Sequence, residues 1–362
     1  MARAATVTID LNAIAHNYRV AKSQAPEQKA LAVIKANAYG HGALEVAKKL
    51  EPEADGFAVA CIEEAVELRE GGIRKPIVLL EGFFTPDELD YICRHDIWTA
   101  VHNDFQLEAI AVADLIRPVN VWLKLDTGMH RLGFSPEEYR AAYWRLEAMP
   151  QVNSVTMLSH FTSADDMDSP VTRHQMEIYD SVSRECPSAM SFANSAATMK
   201  HSGAHHDWQR PGIILYGSSP FEGEEDVQAQ LKPAMTLTSE VIAVHDLQPG
   251  DAIGYNGTWI CEEPTRVGTV AMGYADGYPR QARNGTPVLV NGQRTRIIGR
   301  VSMDMLTVDL TGIDADRGAP VELWGENLLA NEVAPWCDTI SYTLFTGITR
   351  RVHRKVKGWV PD

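Results

Sequence analysis

The stretch LAVIKANAYGHGALEVAKKLE, residues 31–51, changes rhythm twice. LAVIKA is an apolar run of strand length. The polar, glycine-rich ANAYGHG follows at once. GALEVAKKLE then carries apolar residues at helical spacing. Strand, short loop and amphipathic helix make one β/α unit, and the unit recurs. GFAVA precedes CIEEAVELREGG, KPIVLLEG precedes TPDELDYICRHD, and WTAV precedes NDFQLEAIAVADLI. VNVWLKLD, VNSVTMLSHF and SAMSFAN are followed in turn by SPEEYRAAYWRLEAM, PVTRHQMEIYDSVSREC and SAATMKH.

Repeated β-then-α units with short connections imply a parallel sheet. Over about 220 residues they suit a closed (β/α)8 barrel of TIM type better than an open doubly wound sheet. No strand-linked GxGxxG supports dinucleotide binding. One helix start is explicit: Ser135-Pro136-Glu137-Glu138 puts proline first, with acids in the first turn. From about Lys232 the rhythm changes. MTLTSEVIAV, TRVGTVAMGYADGY, TPVLVNGQRTRIIGRVSMDMLTVDL and APVELWG are β-rich, broken by QPGD and VNGQ. Asn-Gly between apolar runs marks a hairpin. The expected fold class is α/β: a barrel over residues 1–230, then a mostly β domain over 231–362.

The 362 residues, 45% hydrophobic and 22% charged, fit a globular protein with a sizeable core. The net charge of −15 argues against a nucleic-acid partner, whose phosphates reward Lys and Arg. MARAATVTIDLNAIAHNYRV lacks a signal-peptide apolar region, and no run approaches the roughly 20 residues of a membrane span. A cytoplasmic location without a membrane partner is expected. Cys61, Cys93, Cys186, Cys261 and Cys337 are scattered, with no zinc-like spacing. Packed, reduced thiols and no metal follow.

In a parallel barrel, chemistry gathers where strands end. Lys35 ends LAVIK. Lys124 and Asp126 end VNVWLKLD, and Thr127, Gly128, Met129, His130 and Arg131 come next. His160 ends VTMLSH, Asn194 and Ser195 follow SAMSFA, and Arg210, Pro211 and Gly212 follow the next segment. Each has a plain reading. A strand-end lysine is usually solvated or paired, His160 suits a hydrogen-bonded core, and Arg210 suits an interdomain ion pair. Lys124, inside an apolar strand, needs a partner. Against these stands convergence on one face if the barrel closes. A partly desolvated lysine forms imines with carbonyls, including that of pyridoxal 5'-phosphate (PLP). Gly212 and Ile213 offer backbone N–H groups to a phosphate if a helix begins there. In the second domain Tyr255, Tyr274 and Tyr342 sit near glycines or in polar loops; a catalytic tyrosine needs help, since its ordinary pKa is about 10.

AVIKANAYGHG, LKLDTGMHRLGF, SHFTSAD, NSAAT, RPGIILYG, GYNGTW, GYADGYPR, GRVSMDM and ISY, in this order, resemble the bacterial alanine racemase family. The resemblance implies a PLP-dependent isomerase interconverting L-alanine and D-alanine, supplying peptidoglycan or alanine catabolism. By the same resemblance Lys35 is the PLP-bearing lysine and one catalytic base. Tyr255 is the other, delivered from the partner of a head-to-tail homodimer. Arg210 matches the arginine at the pyridine nitrogen and His160 its neighbour. Tyr39, Asn194, Ser195, Gly212, Ile213 and Tyr342 match the cofactor pocket, most of them at the phosphate. Arg131 and the partner's Met303 match contacts to the substrate carboxylate. Lys124 matches a lysine often carbamylated in the family, a state in which it becomes an anion able to hold Arg131. Asp165, Tyr274, Arg280 and Arg300 match the substrate entry path.

Three rival readings are weaker. A PLP decarboxylase of related fold usually sets a carboxylate at the pyridine nitrogen, where Arg210 stands. Broad-range racemases tend to be periplasmic. A non-catalytic PLP carrier has no use for a second base or a β domain. The main departure from the family's commonest pattern is Asn256, beside Tyr255, where glycine or alanine is more usual.

Overall fold

The computed structural model describes residues 3–223 and 225–358. The first strand, β1 (Thr6–Asp10), stands apart from the next eight. These are β2 (Lys29–Val33), β3 (Gly56–Val59), β4 (Ile77–Leu79), β5 (Ile97–Val101), β6 (Val119–Lys124), β7 (Val152–Leu158), β8 (Ala189–Ser191) and β9 (Trp208–Gln209). They pair in parallel in the order β8-β7-β6-β5-β4-β3-β2-β9. Ser191 Oγ donates to the Trp208 carbonyl at 2.9 Å and the Arg210 N–H to the Ala193 carbonyl at 2.9 Å, drawing β8 against β9. The barrel read from the sequence is thus closed. Its strands are near-continuous apolar runs because both faces are covered; β3 and β4 are buried at every residue. Trp98 and Trp122 pack against Trp208 at ring separations of 5.6 and 5.8 Å, contacts that cross the interior.

The one helix start explicit in the sequence is found where expected. In Pro136–Glu147 the Ser135 hydroxyl accepts from the Glu138 N–H at 3.3 Å, and the Glu138 carboxylate accepts from the Ser135 N–H at 3.0 Å. That reciprocal pair satisfies two donors a helix start leaves open.

The β-rich part is built around β10 (Met235–Leu247), which pairs antiparallel with β1, with Pro320–Trp324 and with Thr265–Val270. Register shifts at Leu237/Thr238 and Val241/Ala243 bend this long strand so that it serves several partners. Pro287–Val290 and Gln293–Arg296 form the hairpin expected from VNGQ. Its turn residues Asn291 and Gly292 take φ of 50° and 74°, as a tight hairpin requires. One element differs from a single division at residue 230. Strand β1 pairs antiparallel with β10 and parallel with His353–Lys357, inside the second sheet. The alternating burial of TVTID fits a sheet with one covered face, not a barrel strand.

Candidate active site

Lys35 follows β2 at its C-terminal end, and the chain there does something rare. Ala36, Asn37, Ala38 and Tyr39 all take φ between 51° and 53°, a full left-handed turn without glycine. Such a conformation costs about 1–2 kcal/mol per residue, so neighbours must impose it. The Glu64 carboxylate accepts the Ala36 N–H at 2.6 Å. Asn37 Oδ1 accepts the Ala43 N–H at 2.8 Å, tying the turn to the helix Ala43–Leu50. Beneath it lies His41, fully buried, with Nδ1 3.1 and 3.0 Å from the Ala38 and Tyr39 carbonyls. Burial pushes its pKa down to about 3, so the ring is neutral and Nδ1 carries the proton. Gly40 leaves no room for a side chain, since a Cβ there would meet the Phe345 carbonyl oxygen at 2.3 Å. Arg354 donates to the His41 carbonyl from the strand His353–Lys357.

The turn opens into a cavity of about 1140 Å³. Lys35, Tyr39, Lys124, Arg131, His160, Asp165, Asn194, Ser195, Arg210, Gly212, Ile213 and Tyr342, all expected from the sequence, line it together. Burial lowers the Lys35 ammonium pKa, with Arg131 and Arg210 adding to the effect and Glu81 and Glu64 opposing it. Lys124 is brought down to about 8 by burial and by Arg210, Arg131 and Lys35. Arg210 is anchored: Nη1 donates to Ser191 Oγ at 2.5 Å and Nη2 to the Ser159 carbonyl at 2.7 Å. Burial reduces its pKa to about 10, which still leaves it cationic at neutral pH. His160 Nδ1 stands 3.5 Å from Arg210 Nη2, and burial together with that cation holds the imidazole neutral.

Asn194 caps the helix Ser195–Lys200 through Oδ1 to the Ala197 N–H at 3.0 Å. Ser195 Oγ accepts the Gly212 N–H at 2.8 Å. The segment after Gly212 is a single 3₁₀ turn, Ile213–Tyr216. Tyr39 stacks on Tyr216 at 4.8 Å and lies 5.9 Å from Tyr342. Burial raises the phenol of Tyr39 to about 12 and that of Tyr342 further, so both stay protonated donors. Two carboxylates escape the sequence reading. Glu81 lines the cavity and ends the run KPIVLLE, the same strand-end signal that finds Lys35. Glu64 lies on a helix and gives no such signal.

Tyr255, Met303, Tyr274, Arg280 and Arg300 do not line this cavity. They lie in the second domain, with Tyr255 67% and Met303 53% exposed. The Tyr274 N–H donates to the Ser302 carbonyl at 3.0 Å and the Ala275 N–H to that of Met303 at 2.9 Å. Arg280 stands 6.0 Å from the Tyr274 ring. A Cβ on Gly254 would lie 3.4 Å from the Arg300 nitrogen, so the Tyr255 turn abuts Arg300. Asn256 takes φ 61° in that turn, a conformation asparagine tolerates better than alanine. Within one chain the proposed bases are therefore separate.

The model of the alanine racemase N-terminal domain matches residues 9–220, and that of the C-terminal domain residues 234–356. The chain belongs to the alanine racemase family. Alanine racemase of Pseudomonas fluorescens is 53% identical over 349 residues, 96% of this chain and 98% of that protein. A catabolic alanine racemase of Pseudomonas putida is 52% identical with the same coverage. Among solved structures, the biosynthetic alanine racemase of Pseudomonas aeruginosa superposes with a TM-score of 0.96 at 48% identity, covering 98% of this chain and 99% of that one. The alanine racemase of Acinetobacter baumannii gives 0.93 at 35% identity over 98% and 100%. The alanine racemase N-terminal model begins at residue 9, late in β1, so most of that strand lies outside both family segments although it completes the second sheet.

Among the described residues no helix is long and apolar enough to cross a membrane, and no cluster of three His, Cys, Asp or Glu could hold a metal.

Proposed function

We propose that the cavity holds PLP joined to Lys35 and that the protein racemises alanine by a two-base mechanism. A lysine amine depressed by burial and set among cations, in a chain of the alanine racemase family, carries the reading. The residues fit the group. Lys35, Lys124, Arg131 and Arg210 outnumber the nearby carboxylates, which suits a phosphate and a substrate carboxylate. Gly212 leaves the space beneath Tyr39 open, since a Cβ there would lie 2.8 Å from the phenol oxygen. Tyr39, Ser195, Gly212, Ile213 and Tyr342 would hold the phosphate, with Asn194 setting the helix that carries Ser195. Arg210, flanked by His160, would face the ring nitrogen.

When bound, PLP acidifies the Cα–H of an amino acid joined to it. The protein must then move a proton from one face to the other. Lys35 Nζ takes or returns it on the barrel side; its lowered pKa brings it nearer working pH. Tyr255 Oη of a second copy serves the opposite face, which suits its exposure and its distance from this chain's cavity. The copies are arranged head to tail, so the β-rich domain of each completes the other's barrel. Arg210 stays protonated and cannot accept a proton. Arg131, with Met303 of the second copy, grips the carboxylate. The neutral amine of Lys124 can add carbon dioxide, losing a proton to become an anionic carbamate that braces Arg131. Asp165, with Tyr274, Arg280 and Arg300 of the second copy, lines the approach. The five free cysteines fit the reducing cytoplasm.

The test is exchange in D2O. The PLP-loaded protein is incubated with L-alanine, the α-proton is followed by NMR and D-alanine is assayed in the same tube, with L-serine, L-lysine and L-arginine alongside. Exchange with inversion, strongest for alanine, is expected. Exchange without inversion would remove Tyr255 as the second base, and no exchange would leave a PLP carrier.

A further inference from the structure

The helix Pro170–Ser183 buries a glutamine. Gln175 is 1% exposed, and its amide is fully engaged. Nε2 donates to Thr127 Oγ1 at 2.9 Å and to the His160 carbonyl at 3.1 Å. Oε1 accepts the Thr162 N–H at 3.0 Å and its hydroxyl at 3.1 Å. A flipped amide would turn an N–H group toward the Thr162 N–H, so this orientation is the one that satisfies both ends.

Donor logic fixes the rest. Ser159 Oγ gives its single proton to the Leu125 carbonyl at 2.9 Å. In its 3.0 Å contact with Thr127 it must therefore accept, and Thr127 Oγ1 donates. A directed chain runs from Gln175 through Thr127 and Ser159 to Leu125. All three side chains are buried, and a fully satisfied buried network holds one geometry.

The chain links the Arg131 loop at one end to the anchor of Arg210 at the other. From Asp126 to Gly133, Thr127 is the one buried residue, so its hydroxyl fastens the loop bearing Arg131. At the other end the Ser159 carbonyl receives Arg210 Nη2 at 2.7 Å. We propose that Gln175 and Thr127 are positioning residues that hold the Arg131 loop in register with Arg210 and thereby set affinity for the substrate carboxylate. This rests on the reading of Arg131 above. Losing one link leaves a buried donor or acceptor unmet, and the exposed loop is the part free to move.

The experiment compares PLP-loaded Thr127→Val, Thr127→Ser and Gln175→Leu with the parent. KM and kcat are measured for both alanine enantiomers, with PLP content, Tm, and equilibrium binding of propionate, which keeps the carboxylate and lacks the amine. Thr127→Val should raise KM and weaken propionate roughly tenfold while kcat stays within about threefold, the split expected when binding is lost. Thr127→Ser restores the hydroxyl and should recover most of the affinity. Gln175→Leu should repeat the valine result and decides the matter if the valine variant fails to fold. A folded, PLP-loaded Thr127→Val or Gln175→Leu with parental KM and propionate binding, even with lowered Tm, would overturn the inference. So would a serine variant as impaired as the valine one. A parent that fails to racemise alanine would instead sink the functional reading beneath it.

Discussion

The carboxylate of Asp126 holds His130 twice: Oδ1 accepts its N–H at 3.0 Å and Oδ2 meets ring Nδ1 at 3.0 Å. His130 takes φ 55° and immediately precedes Arg131, so this clasp shapes the loop tip. The hydrogen bonds from Gly128 and His130 outweigh burial and hold the Asp126 carboxyl below its ordinary value.

His130→Val should cost about 1–2 kcal/mol, because a β-branched residue resists the left-handed region. His130→Gly fits the backbone but loses the ring contact, so its stability should fall between valine and parent. Urea unfolding of the three proteins checks the order; valine matching glycine would contradict it. A depressed carboxyl contributes stability present above its unfolded value near 3.9, lost as pH falls through the lower folded value. Asp126→Asn should therefore lose stability at pH 7 and lose progressively less below about pH 4.

Tyr255→Phe should lower racemisation by about 10²–10⁴, the usual reach of a general base, while PLP binding persists. Mixing it with Lys35→Ala tests where the tyrosine comes from. In a symmetric dimer with shared sites, random reassociation of two inactive variants restores about a quarter of parental activity. A mixture that stays inactive after verified exchange would place both bases in one chain.

Gly212→Ala inserts a Cβ 2.8 Å from the Tyr39 phenol oxygen and 3.4 Å from its ring carbon. Tyr39 is wedged against Tyr216 and cannot retreat easily. Displacing one well-placed donor costs roughly 1–2 kcal/mol, so PLP should bind the apoprotein about tenfold more weakly. Fluorescence titration with PLP reads this directly; unchanged affinity would show that Tyr39 yields.

Lys124 carries a pH signature. Its folded value of about 8 lies below the unfolded value near 10.4. The penalty for burying the ammonium is fully present below pH 8 and relieved as pH rises toward 10.4. In buffer free of carbon dioxide, the parent should gain stability between pH 8 and 10 relative to Lys124→Met. Parallel profiles would mean the amine is not desolvated as described.

Much of the fold is legible because it is periodic. Seven of the eight barrel strands read as apolar runs, the exception being the two-residue β9, and the strand-end rule brings Lys35, Lys124, His160 and Arg210 to one cavity. What escapes is non-local or mirror-handed. Strand β1 finds both its partners in the distant C-terminal half, so no window of sequence reveals its place. Gln175 sits in a helix rich in polar residues and reads as surface until Thr127 and Thr162 close around it. The four residues after Lys35 contain no glycine, so nothing local announces a left-handed turn. Tyr255 and Met303 resemble known site residues, yet one chain alone leaves them facing solvent.

That left-handed turn also sets an order in time. Four residues held there store on the order of 4–8 kcal/mol of local strain, and part of what holds them lies far downstream. Phe345 crowds Gly40, and Arg354, in the strand His353–Lys357, braces His41. A nascent chain can complete its barrel strands long before those residues leave the ribosome. The turn after Lys35 is fully braced only once Phe345 and Arg354 are in place, so this corner of the barrel waits on the C-terminal domain.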